Sequence, residues 1–214
     1  MLLLLLLLVA TVFIAPALLP YGPAGRIVLG FMMTLVLLAG LLAVAEHRRI
    51  VPMLAVLSIL SIAVRWTEWI VPFDLLPAVR DLSMLLALSV LAAAVGINVF
   101  GAGKAVADRI TGAVVLYLLI GFAWAVAYAI LHAHSPGAFT GVEGGTEYEA
   151  EHWVYFSFVT LTTVGYGDIA PLTRAARSLA ILEALVGQLY PAVILARMVS
   201  LPSGERPRSG DSQG

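Results

Sequence analysis

Apolar stretches of bilayer-spanning length, separated by charged residues, constrain the fold of this chain more than any other feature. A membrane-spanning helix needs about 20 mostly apolar residues, and the first charged residue of the sequence is Arg26. Only 12% of the residues are charged, whereas soluble domains carry about 25%, so polar side chains are too few to cover a water-facing surface. We therefore predict an all-α membrane protein with six transmembrane helices, at Leu2–Pro20, Ile27–Ala45, 50–65, Leu82–Phe100, within 110–132 and within 176–199.

The basic residues indicate how these helices are oriented. They follow the second, fourth and sixth predicted helices, while the other connections are acidic or mixed in sign. Because basic loops stay on the cytoplasmic side, we predict a multi-pass plasma-membrane protein with both termini in the cytoplasm, as an even number of spans requires. The basic residues on that side are Arg48, Arg49, Lys104, Arg109, Arg197, Arg206 and Arg208.

Two segments permit an alternative interpretation. Met1–Leu8 could be the apolar core of a cleaved signal peptide, with a cleavage-like sequence at Ala15–Ala17. However, no Lys or Arg precedes it, as signal peptides usually require, so we favour an uncleaved helix. The stretch 65–81, with Trp66 and Trp69, is either an amphipathic helix on the outer surface or a plain connecting loop.

The connection between the fifth and sixth predicted helices has the pattern of a re-entrant loop. A polar, acidic stretch, His134–Glu151, precedes the apolar segment Trp153–Thr162, which is too short to span a bilayer. A run with two glycines, Thr163–Asp168, follows directly. Non-helical backbone at membrane depth is tolerated where it lines a cavity or is buried in protein, so we predict a short pore helix followed by a strand that lines a pore.

The residue types of that strand suit a cation that has lost its water shell. Backbone carbonyls can replace the water oxygens when several successive residues direct them into the pore, which a regular strand cannot do. Gly165 and Gly167 supply the left-handed conformations that this needs, and the Thr163 hydroxyl can add a further ring of oxygens. The partially negative C-terminal end of the pore helix would also favour a cation in the cavity.

The run Thr162-Thr-Val-Gly-Tyr-Gly-Asp168 resembles the signature of potassium channels, in which four loops pool their carbonyls around one axis. Tyr155–Leu161 resembles their pore helix, and Pro171 and Arg174–Arg197 resemble the start and body of their inner helix. The resemblance covers residues 110–200. It implies a homotetramer in a lipid bilayer, with potassium as the permeant ion and no cofactor.

The resemblance also implies roles for individual residues. Tyr155, Asp168 and Thr162 would support the filter, with a hydrogen bond between Tyr155 and Asp168; the alternative for Tyr155 is an interfacial aromatic without this partner. Gly167 would shape the outer mouth. The residues whose carbonyls would coordinate potassium are Thr163, Val164, Gly165 and Tyr166.

The sixth predicted helix contains a candidate gate hinge. Gly187 occupies the position at which potassium channels often carry a hinge glycine, and Pro191 follows one turn later. Glycine and proline both weaken a helix, although a small residue can instead serve close helix packing. Glu183 is a charged residue well inside this span. We expect it to face the back of the pore helix, hydrogen-bonded or protonated, rather than the ion path.

The first four predicted helices lack the sequence of a voltage sensor. Voltage-sensing helices carry repeated arginines, whereas Leu82–Phe100 contains no basic residue. We therefore divide the chain into a four-helix region without sensor arginines (1–104), a pore domain (105–200) and a disordered cytoplasmic tail (201–214). No ligand-binding domain is expected after the last helix.

These features predict a potassium-selective channel that does not sense voltage and is not an enzyme. The net charge of −1 argues against a nucleic-acid partner, and His132, His134 and His152 are too dispersed for a metal site. A weakly selective cation channel and a non-conducting membrane assembly subunit remain as alternatives. Four acidic residues either concentrate cations at the outer mouth or form a solvated loop: Glu143, Glu147, Glu149 and Glu151.

Overall fold

The computed structural model describes residues 1–14, 23–46, 50–67, 76–101, 106–142 and 149–199. Most of these residues are helical, and two short strands, β1 (Phe139–Thr140) and β2 (Ala170–Pro171), pair antiparallel. The helices are α1 (Leu2–Val9, continued by a π-helical turn over Ala10–Ile14), α2 (Pro23–Ala43), α3 (Val51–Thr67), α4 (Leu76–Phe100), α5 (Val106–His134), α6 (Glu149–Leu161) and α7 (Arg174–Val199).

Three of these helices are long and apolar enough to cross a membrane. They span Pro77–Phe100, Ala107–His134 and Arg174–Arg197, and they coincide with the fourth, fifth and sixth predicted spans. The predicted class of an all-helical membrane protein is therefore supported. The other apolar helices are shorter, at Leu2–Ile14, Ile27–Ala43 and Val51–Thr67, so the count of six spans stays a prediction.

Side chains from the first five helices, α1 to α5, form one continuous apolar core. Leu8, Leu37, Leu91 and Leu119 are among its fully buried members. The opposite faces of the same helices are apolar as well, with Leu42 exposed over 73% of its surface. A helix that is apolar on all sides needs an apolar solvent for its outer face, so lipid is the surrounding medium.

The region between α5 and α7 positions the candidate site. Helix α6 packs against both of these longer helices, and β1 and β2 lie before and after it in the chain. Helix α7 begins after Thr173, whose Oγ1 accepts a hydrogen bond from the Ala176 backbone N–H at 3.3 Å, a common way to cap a helix N-terminus.

Several predicted features lie outside the described residues. They include the basic pair at 48–49, Lys104, the end of the first predicted span (15–20) and the tail 201–214. Of the stretch 65–81, residues 65–67 end α3 and residues 76–81 begin α4, while 68–75 also lie outside the described ranges.

Candidate ion-conduction site

The end of α6 is joined to the predicted filter by a tight set of backbone hydrogen bonds. The last carbonyls of a helix have no partner within it, and here the following residues supply their donors. Thr163 N–H donates to Thr160 O at 2.9 Å, and the N–H groups of Val164 and Gly165 donate to Val159 O at 3.0 and 3.3 Å. The first half of the predicted filter is therefore held by hydrogen bonds to the end of α6.

The sign of φ alternates along the predicted filter. Thr163, Gly165 and Gly167 have φ angles of 60°, 58° and 81°, whereas the residues between them have negative φ. Successive carbonyls point to opposite sides in a regular strand, whereas a backbone whose φ sign alternates permits successive carbonyls to share one side. Thr163 adopts the left-handed region without being a glycine, which costs about 1–2 kcal/mol and was not expected from the sequence.

The carbonyls of the predicted filter accept no backbone hydrogen bond from the described part of the chain. Among the residues that the structure describes, no backbone N–H donates to a carbonyl of Thr163, Val164, Gly165 or Tyr166. The Val164 and Tyr166 side chains are more than half exposed in the single chain. The predicted coordinating residues thus lie together in one segment whose carbonyl oxygens are available to a ligand.

The predicted hydrogen bond beside the outer end of the filter is present. Tyr155 Oη donates to Asp168 Oδ2 at 2.7 Å. This bond is the main reason that the pKa of Asp168 lies below its usual value, because it stabilises the carboxylate. It links α6 to the residue that follows the filter, and its importance for conduction stays a prediction.

A second support of the outer end was not predicted from the sequence. Residues on β1 pair with those on β2, and Leu172 N–H donates to Ala138 O at 2.8 Å. Gly141 follows β1 with a φ of 79°, and a Cβ on it would lie 1.8 Å from Asp168 O. The backbone after α5 is therefore packed directly on the backbone after the filter. No sequence signal distinguishes Gly141 from the other glycines of this loop.

An aromatic cluster lies between α5, β1 and α6. Tyr128 of α5, Phe139 of β1, and Trp153 and Phe156 of α6 are all buried, and their rings meet edge-on with centroids 4.8–5.7 Å apart. Edge-to-face packing is the preferred geometry for such rings. The cluster holds α6 against α5.

Glu183 is fully buried next to this cluster. It contacts Tyr128 of α5 and Ser157 of α6, so the predicted packing of Glu183 against the helix that precedes Thr162–Asp168 is confirmed, while its position relative to an ion path stays a prediction. Sequence analysis did not identify either partner, because a single Ser or Tyr in an apolar helix carries no signal of its own.

The inner end of α6 is held by α5 and α7. Tyr117 Oη donates to Leu161 O at 3.3 Å, and a Cβ on Gly187 would lie 1.8 Å from that same oxygen. Tyr190 stacks near Tyr117, with ring centroids 5.4 Å apart. Helix α7 is continuous through Gly187 and Pro191. The structure thus gives Gly187 a packing role, while bending at 187–191 stays a prediction.

The remaining candidate residues do not form a site in the described part of the chain. Residues 143–148 lie outside it, so the acidic mouth is untested. His132 packs on Trp153 with centroids 5.0 Å apart, and no group of three or more potential metal ligands occurs among the described residues.

Known proteins match part of the chain. A family described as "Ion channel" matches residues 112–203. Two pore potassium channel c of Oryza sativa subsp. japonica is 41% identical over 85 residues, which are 40% of this chain and 18% of that protein. Protein LctB of Bacillus caldotenax is 40% identical over 88 residues, which are 39% of this chain and 63% of that protein. Protein LctB of Geobacillus stearothermophilus is 41% identical over 86 residues, which are 38% and 62% of the two chains. The chain thus spans less than two thirds of each relative.

Proposed function

We propose that this membrane protein, whose residues 112–203 match an ion channel family and which is similar over 85 residues to a two pore potassium channel, is one subunit of a potassium-selective channel. Dehydrated potassium would bind to the carbonyl oxygens of Thr163, Val164, Gly165 and Tyr166, with Gly167 at the outer mouth. One chain supplies one filter strand, and such filters are closed by four. The functional unit is therefore a homotetramer.

The observation that carries this proposal is the backbone of the filter. The sign of φ alternates along Thr163–Gly167, and among the described residues no backbone N–H donates to the carbonyls of Thr163–Tyr166. These carbonyl oxygens therefore form a row without hydrogen-bond donors, in a segment that is hydrogen-bonded to α6. Backbone carbonyls in such a row can replace the water shell of potassium. The resemblance of the same residues to the potassium-channel signature supports potassium over other cations.

The exposure of α7 supports the tetramer. Only 11% of the apolar 18-residue stretch of α7 is buried in the single chain, whereas 44% of the corresponding stretch is buried in α4 and in α5. Lipid could cover part of this surface, but a helix beside an ion path also needs neighbouring subunits. Native mass spectrometry of the purified chain in detergent should give a mass of four subunits, and a monomer at all detergent concentrations would contradict the assembly.

The rest of the chain fits a non-sensing scaffold around that pore. We propose that residues 1–104 form four membrane helices without voltage-sensor arginines, that both termini lie in the cytoplasm of a plasma membrane, and that α7 bends at 187–191 to gate the pore. The sequence has no cysteine, so single engineered cysteines can map the six spans. Labelling of Cys substituted near residue 135 from the cytoplasmic side would contradict this topology.

Flux measurements on proteoliposomes test the function directly. We expect potassium flux that greatly exceeds sodium flux and that barium blocks, because barium has the size of dehydrated potassium. Equal fluxes would favour a weakly selective cation channel, and intact tetramers without flux would favour a non-conducting assembly subunit.

A matched pair of variants then assigns the selectivity to the filter backbone. Gly165→Ala adds a methyl group where nothing lies within 4 Å in the single chain, so it acts by straining a left-handed residue with φ of 58°. Gly137→Ala makes the same change in the turn after α5, where φ is 84° and nothing lies within 4 Å. We expect loss of selectivity for the first variant only. Equal effects of the two would mean that the filter backbone has no special role.

A further inference from the structure

Three helices meet at the buried side chain of Glu183. Its Oε2 lies 2.6 Å from Tyr128 Oη of α5, and its Oε1 lies 2.5 Å from Ser157 Oγ of the pore helix α6. Ser157 Oγ also lies 2.7 Å from the backbone oxygen of Gly121 on α5. All three contacts have hydrogen-bond length, and Glu183 and Ser157 are fully buried.

Each of these three contacts between oxygen atoms needs one proton. The Ser157 and Tyr128 hydroxyls carry one proton each, and the Gly121 carbonyl carries none. A carboxylate at Glu183 would also carry none, which leaves two protons for three contacts. Unless Ser157 shares its single proton between two acceptors, which weakens both contacts, the third proton belongs to the Glu183 carboxyl group.

One arrangement of protons satisfies every contact. Tyr128 donates to Glu183 Oε2, the protonated Oε1 of Glu183 donates to Ser157 Oγ, and Ser157 donates to Gly121 O. With an ionised Glu183, Ser157 could donate to only one neighbour, and two lone-pair acceptors would face each other across 2.5 or 2.7 Å. An unfilled contact of this kind in a buried site is costly.

The surroundings of Glu183 favour the same state. Among the described residues, no Lys, Arg or His side chain forms an ion pair with it, and burying an unpaired carboxylate is strongly unfavourable. Within the described ranges, two titratable groups face Glu183, and both lie on α5: Tyr128, which touches it, and Tyr117. Neither supplies a positive charge.

We propose that Glu183 is a neutral carboxylic acid that positions the pore helix, and that potassium conduction depends on its proton. The chain Tyr128, Glu183, Ser157, Gly121 joins the outer, inner and pore helices directly behind the segment that carries the filter. Ser157 lies one turn before Leu161, the last residue of α6, so loss of this chain would let the filter move. The effect on conduction rests on the proposed channel function, whereas the protonation state does not.

Glutamine distinguishes a neutral acid from a carboxylate at this position. The amide of Glu183→Gln can donate to Ser157 and accept from Tyr128, so it reproduces the neutral acid with the same shape. We expect E183Q to keep the tetramer and the selective flux at the wild-type level, and we expect Glu183→Leu, which can make neither bond, to lose both. Loss of the tetramer or of selective flux in E183Q, with the wild type active, would overturn the proposal.

Infrared spectroscopy of the full-length protein in lipid provides a readout that needs no flux. The wild-type spectrum minus the E183Q spectrum should show, at neutral pH, the carbonyl band of one protonated carboxylic acid. In Ser157→Ala that band should shift, because the acid loses its acceptor. A carboxylate band in the difference spectrum would overturn the proposal even in an active channel. A carboxylic acid band in a protein without potassium flux would support the protonation state and contradict the channel function instead.

Discussion

Replacing Gly187 by alanine would place a methyl carbon inside the backbone at the end of the pore helix. The added Cβ would lie 1.8 Å from Leu161 O and 2.7 Å from Leu161 C. Real Cβ atoms essentially never approach other heavy atoms closer than 3.0 Å. Because the obstacle is backbone and not a flexible side chain, α7 or the end of α6 has to move by roughly 1 Å.

Two opposing effects decide the stability of this variant. Alanine inside a helix is favoured over glycine by about 1 kcal/mol, whereas overpacking of a tight interface costs about 1–3 kcal/mol. The displaced atom, Leu161 O, immediately precedes the filter and also accepts the Tyr117 hydroxyl. We therefore expect Gly187→Ala to lower the thermal stability of the assembly and to reduce potassium selectivity as well.

The assay combines thermal unfolding of the purified assembly with potassium and sodium flux on the same preparation. Gly96→Ala on α4 is the matched control, because its Cβ would meet only Leu116 Cδ2 at an ordinary 3.6 Å. The control should be as stable as the wild type or more so. A Gly187→Ala protein with wild-type stability and selectivity would refute the steric argument. If Gly187→Ala kept wild-type stability and changed only the fraction of open channels, Gly187 would act as a hinge and not as a packing residue.

Tyr155→Phe should impair selectivity or speed inactivation in recordings from lipid bilayers, because it removes the hydrogen bond to Asp168; unchanged currents would reject the brace. The same hydrogen bond holds the pKa of Asp168 below its usual value. The stabilisation that the bond provides is therefore complete above the usual pKa of an aspartate and is lost as external pH falls through the lowered pKa. Selectivity should fail only in strong acid, and in Tyr155→Phe it should fail at a higher pH. Gly141→Ala should disrupt the outer mouth and lower selectivity, because its Cβ would meet Asp168 O, whereas Gly137→Ala should not; similar flux ratios for the two would contradict this contact. Open probability should depend weakly on voltage, and a steep activation curve would show that α1–α4 move charge.

Features that depend on only a few neighbouring residues could be predicted from the sequence. The left-handed conformation of the glycines in the predicted filter is one such feature, because a positive φ is a local property, and both Gly165 and Gly167 have it. Glu183 was predictable for a different reason, since a carboxyl group within an apolar helix must find polar partners. The three long apolar helices followed from length and charge alone.

Other features depend on which distant backbones meet, and these were not predictable. Gly141 is one of several glycines in a polar loop, and only its contact with Asp168 O distinguishes it. Thr163 adopts a left-handed conformation that its residue type disfavours. Its N–H donates to Thr160 O at the end of α6, a backbone contact that the residue type does not indicate.

The contact at Gly187 also limits where α7 can bend. A bend centred on Gly187 would drag the end of the pore helix, because the two backbones touch there. Pro191 has no N–H, so the carbonyl of Gly187 lacks the helix hydrogen bond that residue 191 would otherwise donate. Helix α7 therefore lacks a backbone hydrogen bond directly after Gly187, the residue at which it contacts Leu161. A gate that moves the part of α7 after Pro191, while Gly187 stays against Leu161, can open without disturbing the filter.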